Sequence, residues 1–440
     1  MVQFVPLAFK NIFRNKKRSV TLGVNYAIVT LILVLLFAFS AGATQNIETN
    51  LIRSSAGHIT ITGQYAENGR IYQGIPDTAK VIDIAKNTLG NVEVVPRYLM
   101  MSTLYYKGLS KRLTFVGIDA SSDSGFKDQI HFLSGSWDGF VKDPNGIVVP
   151  KDTADYYGLA AGDETVISTR TRFGAFNTGI MKVEGIYTTP NFFAKGLLLS
   201  HFPFLQKLDL ASADASSQLF LYLKDTSRLN DKRNLLMDAY RKAGFDVSKP
   251  KNDTEALEIV TSASTKYQID KQNRNRVLLR VATIDEVLGI VRSVLNAVNA
   301  VGSVIAAIML FIIAISILIN LRMTINERLR EIGTMRAIGV DSSGVTSIFV
   351  LENLVLSLVF IAAGVLLAFG VSFLFRYAIV LPDSGNLGLF LNRGHLVLIP
   401  TAGGVLSIAG IILLFTALFS YFPARRGGRI TPVEALSKVY

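Results

Sequence analysis

The sequence predicts a membrane protein with four transmembrane α-helices and a large α+β extracytoplasmic domain inserted between the first and second. Three observations lead there. Half of the 440 residues are hydrophobic and only 18% are charged, too apolar for an ordinary soluble chain. Four windows, 19–47, 293–321, 353–375 and 394–424, contain no Asp, Glu, Lys or Arg, and each exceeds the roughly 20 residues that span about 30 Å of hydrocarbon as a helix. The long stretch between the first two windows carries alternating strand patterns and amphipathic helices, the mark of a folded domain.

Residues 1–20 read as a cytoplasmic amphipathic helix, because Val5, Phe9, Ile12 and Phe13 share one face and basic groups take the rest. The first span is placed at 21–44. Ala41-Gly42-Ala43 resembles a cleavage site, but the uncharged run is about twice the length of a signal peptide's apolar region, so an uncleaved helix is expected. Residues 45–290 form the α+β domain. HITIT, the pair VVPRYLMMSTLYY and RLTFVGID joined by KGLSK, GIVVP, ETVIST, MKVEGIY and QLFLYLK read as strands. Helices are expected at 226–243, stopped by Gly244, and at 253–266. The segment GIVVPKDTADYYGLAAGDETVIST, a strand, a short helix ending at Gly158, a Gly162-Asp163 turn and a strand, suggests a small β-rich subdomain inserted at about 120–200. From about Thr283 one helical rod should continue into the second span, 291–320. A cytoplasmic loop at 321–345, a third span at 346–375, a short outer loop at 376–395, a fourth span at 396–422 and a cytoplasmic tail at 423–440 complete the order. Gly302/Ala306, Gly364/Ala368 and Gly403/Ser407 are small-residue pairs that would let helices approach closely.

The net charge of +12 raises nucleic acid as a partner, and its placement argues against that. Segments 1–20, 321–345 and 423–440 hold thirteen Lys and Arg against Glu327, Glu331, Asp341 and Glu434, nine of the twelve net charges. Basic residues beside the membrane ends follow the positive-inside rule, which puts both termini in the cytoplasm. With no cysteine, disulfides, thiolate metal sites and an acylated N-terminal Cys are excluded. There is no phosphate-binding Gly-rich loop and no HExxH. His58, His131, His201 and His395 are dispersed, and the spans carry no interior charge that would mark a proton path. A non-catalytic chain without cofactor or metal is expected.

The stretch NERLREIGTMRAIGVDSS sits between two spans where a plain loop would serve. Ile325, Leu329, Ile332, Met335 or Arg336, and Gly339 fall on one helix face, and Glu327–Arg330 and Arg328–Glu331 are spaced for ion pairs on the other. Gly339 should end the helix, and Asp341 or a following Ser should cap the next one. Two uses are open: a helix resting on lipid, or a knob whose apolar stripe docks into a partner's groove with Arg at its edge. Glu352, near the inner end of the third span, is expected to cap or to pair with a loop Arg.

Three motifs resemble the ABC-transporter permease family that includes MacB, FtsX and the lipoprotein-releasing LolC and LolE: LAFKNIFRNKKRSVTLGV near the N-terminus, NERLREIGTMRAIGVDSSGVTSIFVLENLVLSL with its Leu351-Glu352 pair, and FPARRGGRITPVEAL at the end. GIVVPKDTADYYGLAAGDETVIST is a weaker match within the outer domain. The resemblance implies a MacB-like periplasmic domain on four spans in a bacterial inner membrane. It also implies that 326–339 is a coupling helix, with Asn326, Glu327, Arg328, Leu329, Arg330, Glu331, Ile332, Met335, Arg336, Ile338 and Gly339 meeting a separate cytoplasmic ABC ATPase. That partner would hold the ATP and Mg, and a second permease copy or homologue would complete a dimer. The large outer domain and the lack of a fused nucleotide module look most like LolC or LolE, which implies a lipoprotein substrate and a periplasmic lipoprotein carrier. MacB-like export and FtsX-like activation of a periplasmic hydrolase are the alternatives.

Overall fold

In the computed structural model the first three spans are helical beyond both ends of their charge-free windows; the structure describes residues 16–67, 70–121, 123–261, 276–381, 388, 390–392 and 394–437. The expected N-terminal amphipathic helix falls almost wholly outside these, as does the end of the helix expected at 253–266. The chain divides into a helical unit, residues 1–44, 294–381 and 395–440, and an α+β unit, residues 45–293 and 382–394.

The first helix, α1 (Lys16–Leu51), runs seven residues past its expected end and closes in one π-helical turn, Ile52–Ala56. The α+β unit follows: β1 (Ile59–Glu67), β2 (Arg70–Gln73), α2 (Thr78–Leu89), β3 (Val92–Tyr106), β4 (Leu109–Ile118), α3 (Ser124–Lys127), β5 (His131–Gly135), α4 (Trp137–Lys142), β6 (Gly146–Pro150), α5 (Lys151–Tyr157), β7 (Glu164–Arg170), β8 (Phe176–Thr188), β9 (Leu197–His201), α6 (Phe202–Leu208), β10 (Gln218–Leu223), α7 (Leu229–Lys242), β11 (Asp246–Ser248), α8 (Asp253–Thr261), β12 (Val277–Thr283) and α9 (Ile284–Val287). The strands run in the order β11-β12-β1-β10-β3-β4-β9-β6-β8-β5, with β2 beside β1 and β7 beside both β3 and β8.

Two cores that share β3 lie along this sheet, beside a third around Phe126, Trp137, Phe140 and Tyr187. One packs α2, α7 and α8 on β1, β10 and β12 through Ile59, Ile61, Leu221, Leu236, Tyr240 and Val281. The other joins β3, β4, β6, β8 and β9 through Leu104, Phe115, Ile147, Val183 and Leu198. The boundary expected at 120 lies elsewhere: β3 serves both cores, pairing with β10 over Val92 to Arg97 and with β4 from Tyr98 onward. The β3–β4 hairpin, assigned from sequence to the surrounding layer, belongs to the second core. Its turn is Lys107-Gly108, both at positive φ (46° and 80°), the backbone a two-residue hairpin demands. Gly158 and Gly162 also sit at positive φ, 69° and 97°, where the sequence placed a helix stop and a turn. Phe193 packs on the first core and Phe204 on the second.

The single rod expected from Thr283 is broken. A capping box between Thr283 and Glu286 starts α9, and the long helix α10 (Gly289–Glu327) begins only at Gly289. After it come α11 (Leu329–Ala337), α12 (Ser342–Tyr377), the short strands β13 (Leu391–Asn392) and β14 (His395–Leu396), α13 (Ala402–Gly428) and α14 (Pro432–Ser437). The fourth span starts six residues later than expected, behind Pro400 with Thr401 as N-cap, and runs through Pro423 instead of ending there. Proline is tolerated because neighbouring helices and Ser/Thr side chains re-satisfy the freed backbone groups. Among the described residues four helices, Ser19–Leu51, Val291–Glu327, Ser342–Tyr377 and Ala402–Gly428, are long and apolar enough to cross a membrane.

Within the helical unit, α1 meets α12 at Gly364, where a Cβ would lie 2.5 Å from the Ala27 carbonyl oxygen; only glycine permits that approach. Gly302 similarly admits Leu36, whereas Gly403 has nothing within 4 Å. Thr416 Oγ1 donates to the Tyr26 hydroxyl at 3.2 Å between α13 and α1.

Candidate functional site

The loop between the second and third spans folds against the ends of α12, α13 and α14. Its sequence was expected to form one helix over 326–339. The structure breaks it at Arg328 (φ −100°, ψ 17°), so Asn326 and Glu327 finish α10, exposed, and α11 begins at Leu329. The C-terminal stop is as the residues dictate. Gly339 adopts φ 96°, and the Val340 N–H reaches the Met335 carbonyl at 3.0 Å, closing α11 in a Schellman turn. Asp341 then caps α12: its carboxylate accepts from Gly344 N–H at 2.8 Å and from the Ser343 hydroxyl at 2.6 Å. Those two bonds, the hydroxyl first, hold its pKa below the usual carboxylate range.

The apolar stripe is real, but its partner is internal. Ile325 and Ile332 are buried, and they pack with Leu321, Val345, Phe349 and Ala424, with Met335 and Val340 against them. The stripe read as docking surface is thus the loop's own core, and Leu329 is half-buried. What remains outward is Asn326, Glu327, Arg330, Thr334, Ala337, Gly339 and Ile338, the last 81% exposed. Arg336 is half-buried and donates to the Val340 carbonyl at 3.0 Å.

Arg328 departs most from expectation. Placed by spacing on an ion-paired rim, it is 8% exposed. Its Nε donates to Glu331 Oε2 at 2.8 Å and its Nη1 to Glu352 Oε2 at 2.8 Å, with the guanidinium 5.2 Å from the Phe349 ring centroid. Glu352 pairs with a loop Arg, the structural role expected of it. One fork-shaped cation thereby ties the start of α11 to the third span, a geometry a lysine cannot reproduce.

The closing motif has a packing reason that sequence spacing did not disclose. A Cβ on Gly427 would meet Ile325 at 2.9 Å and one on Gly428 the Ser342 carbonyl oxygen at 2.6 Å, so the paired glycines let the fourth span abut the neighbouring helices. Thr431 then caps α14 in a reciprocal box with Glu434, with bonds of 3.0–3.3 Å, and α14 packs on α11. Among the described residues no group of three or more His, Cys, Asp or Glu is placed to hold a metal. The site's chemistry is that of a braced contact surface.

Comparisons with known proteins bear on this region. Residues 303–432 match the FtsX-like permease C-terminal family. A macrolide export ATP-binding/permease protein, MacB, of Chromobacterium violaceum is 30% identical over 156 residues, 35% of this chain and 22% of the relative. MacB of Rhodopirellula baltica is 30% identical over 166 residues, 36% of this chain and 21% of the relative. The chain thus spans less than a quarter of the length of these relatives. Among solved structures, the periplasmic region of MacB from Actinobacillus actinomycetemcomitans aligns with a TM-score of 0.34 and 9% identity, covering 55% of this chain and 95% of that one. The extracellular domain of the ABC-type transporter YknZ from Gram-positive bacteria aligns with a TM-score of 0.29 and 15% identity, covering 41% and 95%. The match to the FtsX-like permease C-terminal family and the similarity to MacB each cover less than half of this chain.

Proposed function

We propose that the chain is the membrane subunit of an ATP-driven complex in a bacterial inner membrane, with both termini cytoplasmic and the α+β unit periplasmic. A separate cytoplasmic ABC ATPase supplies the ATP, Mg and hydrolysis, and a second copy or homologue completes a dimer. The observation that carries the reading is the Arg328 brace. A loop helix held to the third span by a buried two-armed cation delivers a push to that span, where a flexible strap would absorb it. The ATPase meets the outward residues of the loop, Asn326 and Glu327 at the end of α10, Arg330 on α11 and Ile338 just after it, and its closure on nucleotide biases a two-state rigid-body change.

Two cargo readings follow. Four spans with a large outer domain suit lipoprotein release to a soluble periplasmic carrier. The relatives, named for macrolide export, favour instead the expulsion of a peptide, drug or lipid. Affinity purification of the full chain from native membranes tests the shared core of both. Arg330→Glu with Ile338→Asp should cut the co-purifying ATPase about tenfold or more, since rim charge guides docking and an apolar anchor holds it, while membrane insertion stays normal. Undiminished ATPase overturns the proposal. Reporters fused after Thr44 and at the C-terminus should read outside and inside; the reverse pattern overturns the topology.

A further inference from the structure

The α+β unit holds a cavity of about 350 Å³ where its sheet forks. β3 pairs with β10 only as far as Arg97↔Gln218, and with β7 only from Thr103↔Ser168, while β4 accompanies it from Tyr98 to Tyr106. Residues 98–102 therefore have a strand neighbour on one side alone. Ser217 fills part of the gap: its hydroxyl accepts from the Leu99 N–H at 3.0 Å and donates to the Leu99 carbonyl at 3.3 Å. Alternation along an antiparallel strand aims the N–H and C=O of Met101 the same way, into the cavity that Met101 lines.

The charge around the cavity is unbalanced. Arg112, Arg170 and Arg172 line the cavity with Asp209 as the one carboxylate, and Arg172 consumes it through its backbone N–H at 2.8 Å and its Nε at 3.2 Å. Arg112 and Arg170 are exposed at the rim, and neither is ion-paired among the described residues. Arg112 lies opposite Thr103, two residues along β3 from Met101, so both project from the same face.

We propose that this fork binds the carboxyl-terminal end of an extended peptide. The peptide backbone completes the one-sided stretch of β3 at Met101. Its terminal carboxylate sits between Arg112 and Arg170, in the charge-assisted geometry guanidinium groups favour, and an apolar side chain fills the space beside Leu99, Ile71 and Ile259. This joins strand addition to carboxylate capture.

The test titrates the full chain in lipid nanodiscs, by fluorescence anisotropy, with fluorescein-labelled Gly-Gly-Leu-Leu as the free acid and as the C-terminal amide. The acid should bind about tenfold or more tighter than the amide, as the loss of a charge-assisted pair implies. Arg112→Glu with Arg170→Glu should abolish that preference. Both arginines are exposed, so an unchanged thermal melt will show that the double variant stays folded. Equal binding of acid and amide, a preference that survives in the folded double variant, or no binding at about millimolar peptide overturns the proposal. So does short-chain phosphatidylglycerol binding as tightly as the acid, because the fork would then be reading an anion alone.

Discussion

Arg328→Ala should loosen α11 from the third span by an amount the structure sets. The arginine makes two charge-assisted bonds of 2.8 Å, but the partners differ in exposure: Glu352 is 18% exposed and Glu331 40%. An exposed ion pair is worth less than about 1 kcal/mol, so the Glu331 arm counts for little. The Glu352 arm is a bond between charged groups largely out of water, worth about 1.5–3 kcal/mol, and its loss leaves a carboxylate without that cation. A total near 2–3 kcal/mol corresponds to about a 30- to 150-fold rise in local opening. Hydrogen exchange of the full chain in nanodiscs reads this directly, because amides of a locally opening segment exchange in proportion to that equilibrium. Amides of 332–337 should lose protection by that factor while those in the middle of α12 stay within about twofold. Arg328→Lys, which keeps the charge but cannot bridge both partners, should fall between. If Arg328→Ala leaves exchange of 332–337 unchanged, the brace is ornamental and the force-transmission argument fails with it.

Three other outcomes are expected. Arg97, 1% exposed, pairs with Asp123 at 2.8 Å and donates to the Ser54 carbonyl in the π-turn that follows α1. Arg97→Ala should cost about 3–5 kcal/mol by stranding a buried carboxylate, and Arg97→Met with Asp123→Leu far less; the lone tryptophan, Trp137, which shares a core with Phe126 below the Arg97 guanidinium, reports both by its fluorescence melt. Gly364→Ala should destabilise the helical unit by about 1–3 kcal/mol through overpacking on Ala27, and Gly403→Ala should be silent, a contrast that detergent unfolding curves will show. Because the Asp341 pKa is depressed in the folded chain, its capping contribution is fully present above the ordinary carboxylate range and is lost as pH falls through the lowered value. Exchange in the first turn of α12 should quicken only below that range, and Asp341→Asn, which caps without titrating, should remove the dependence.

The four spans were legible because hydrocarbon admits no uncompensated charge, and charge-free runs can be counted. Their ends were not, because Pro400 delays one helix and Pro423 fails to stop it, outcomes decided by neighbours far off in sequence. In the loop, the spacing of Ile325 and Ile332 correctly marked a covered face. Periodicity says that a face is covered and is silent about what covers it, here Phe349 and Ala424. Arg328 was misplaced for the same reason: its decisive partner is Glu352, 24 positions away, though a glutamate at the mouth of an apolar helix was the clue. The subdomain limit failed because a continuous strand pattern, Val92–Tyr106, carries no mark where its partners change.

That shared strand has a consequence for how this molecule can vary. A segment belonging to two hydrophobic interiors at once cannot be cut out as a cassette. Grafting the distal half onto another scaffold would have to take half of a polypeptide ribbon and leave its remainder edgeless, so lineages should have diversified the two halves by substitution and loop growth, with transplantation confined to the whole 45–293 body.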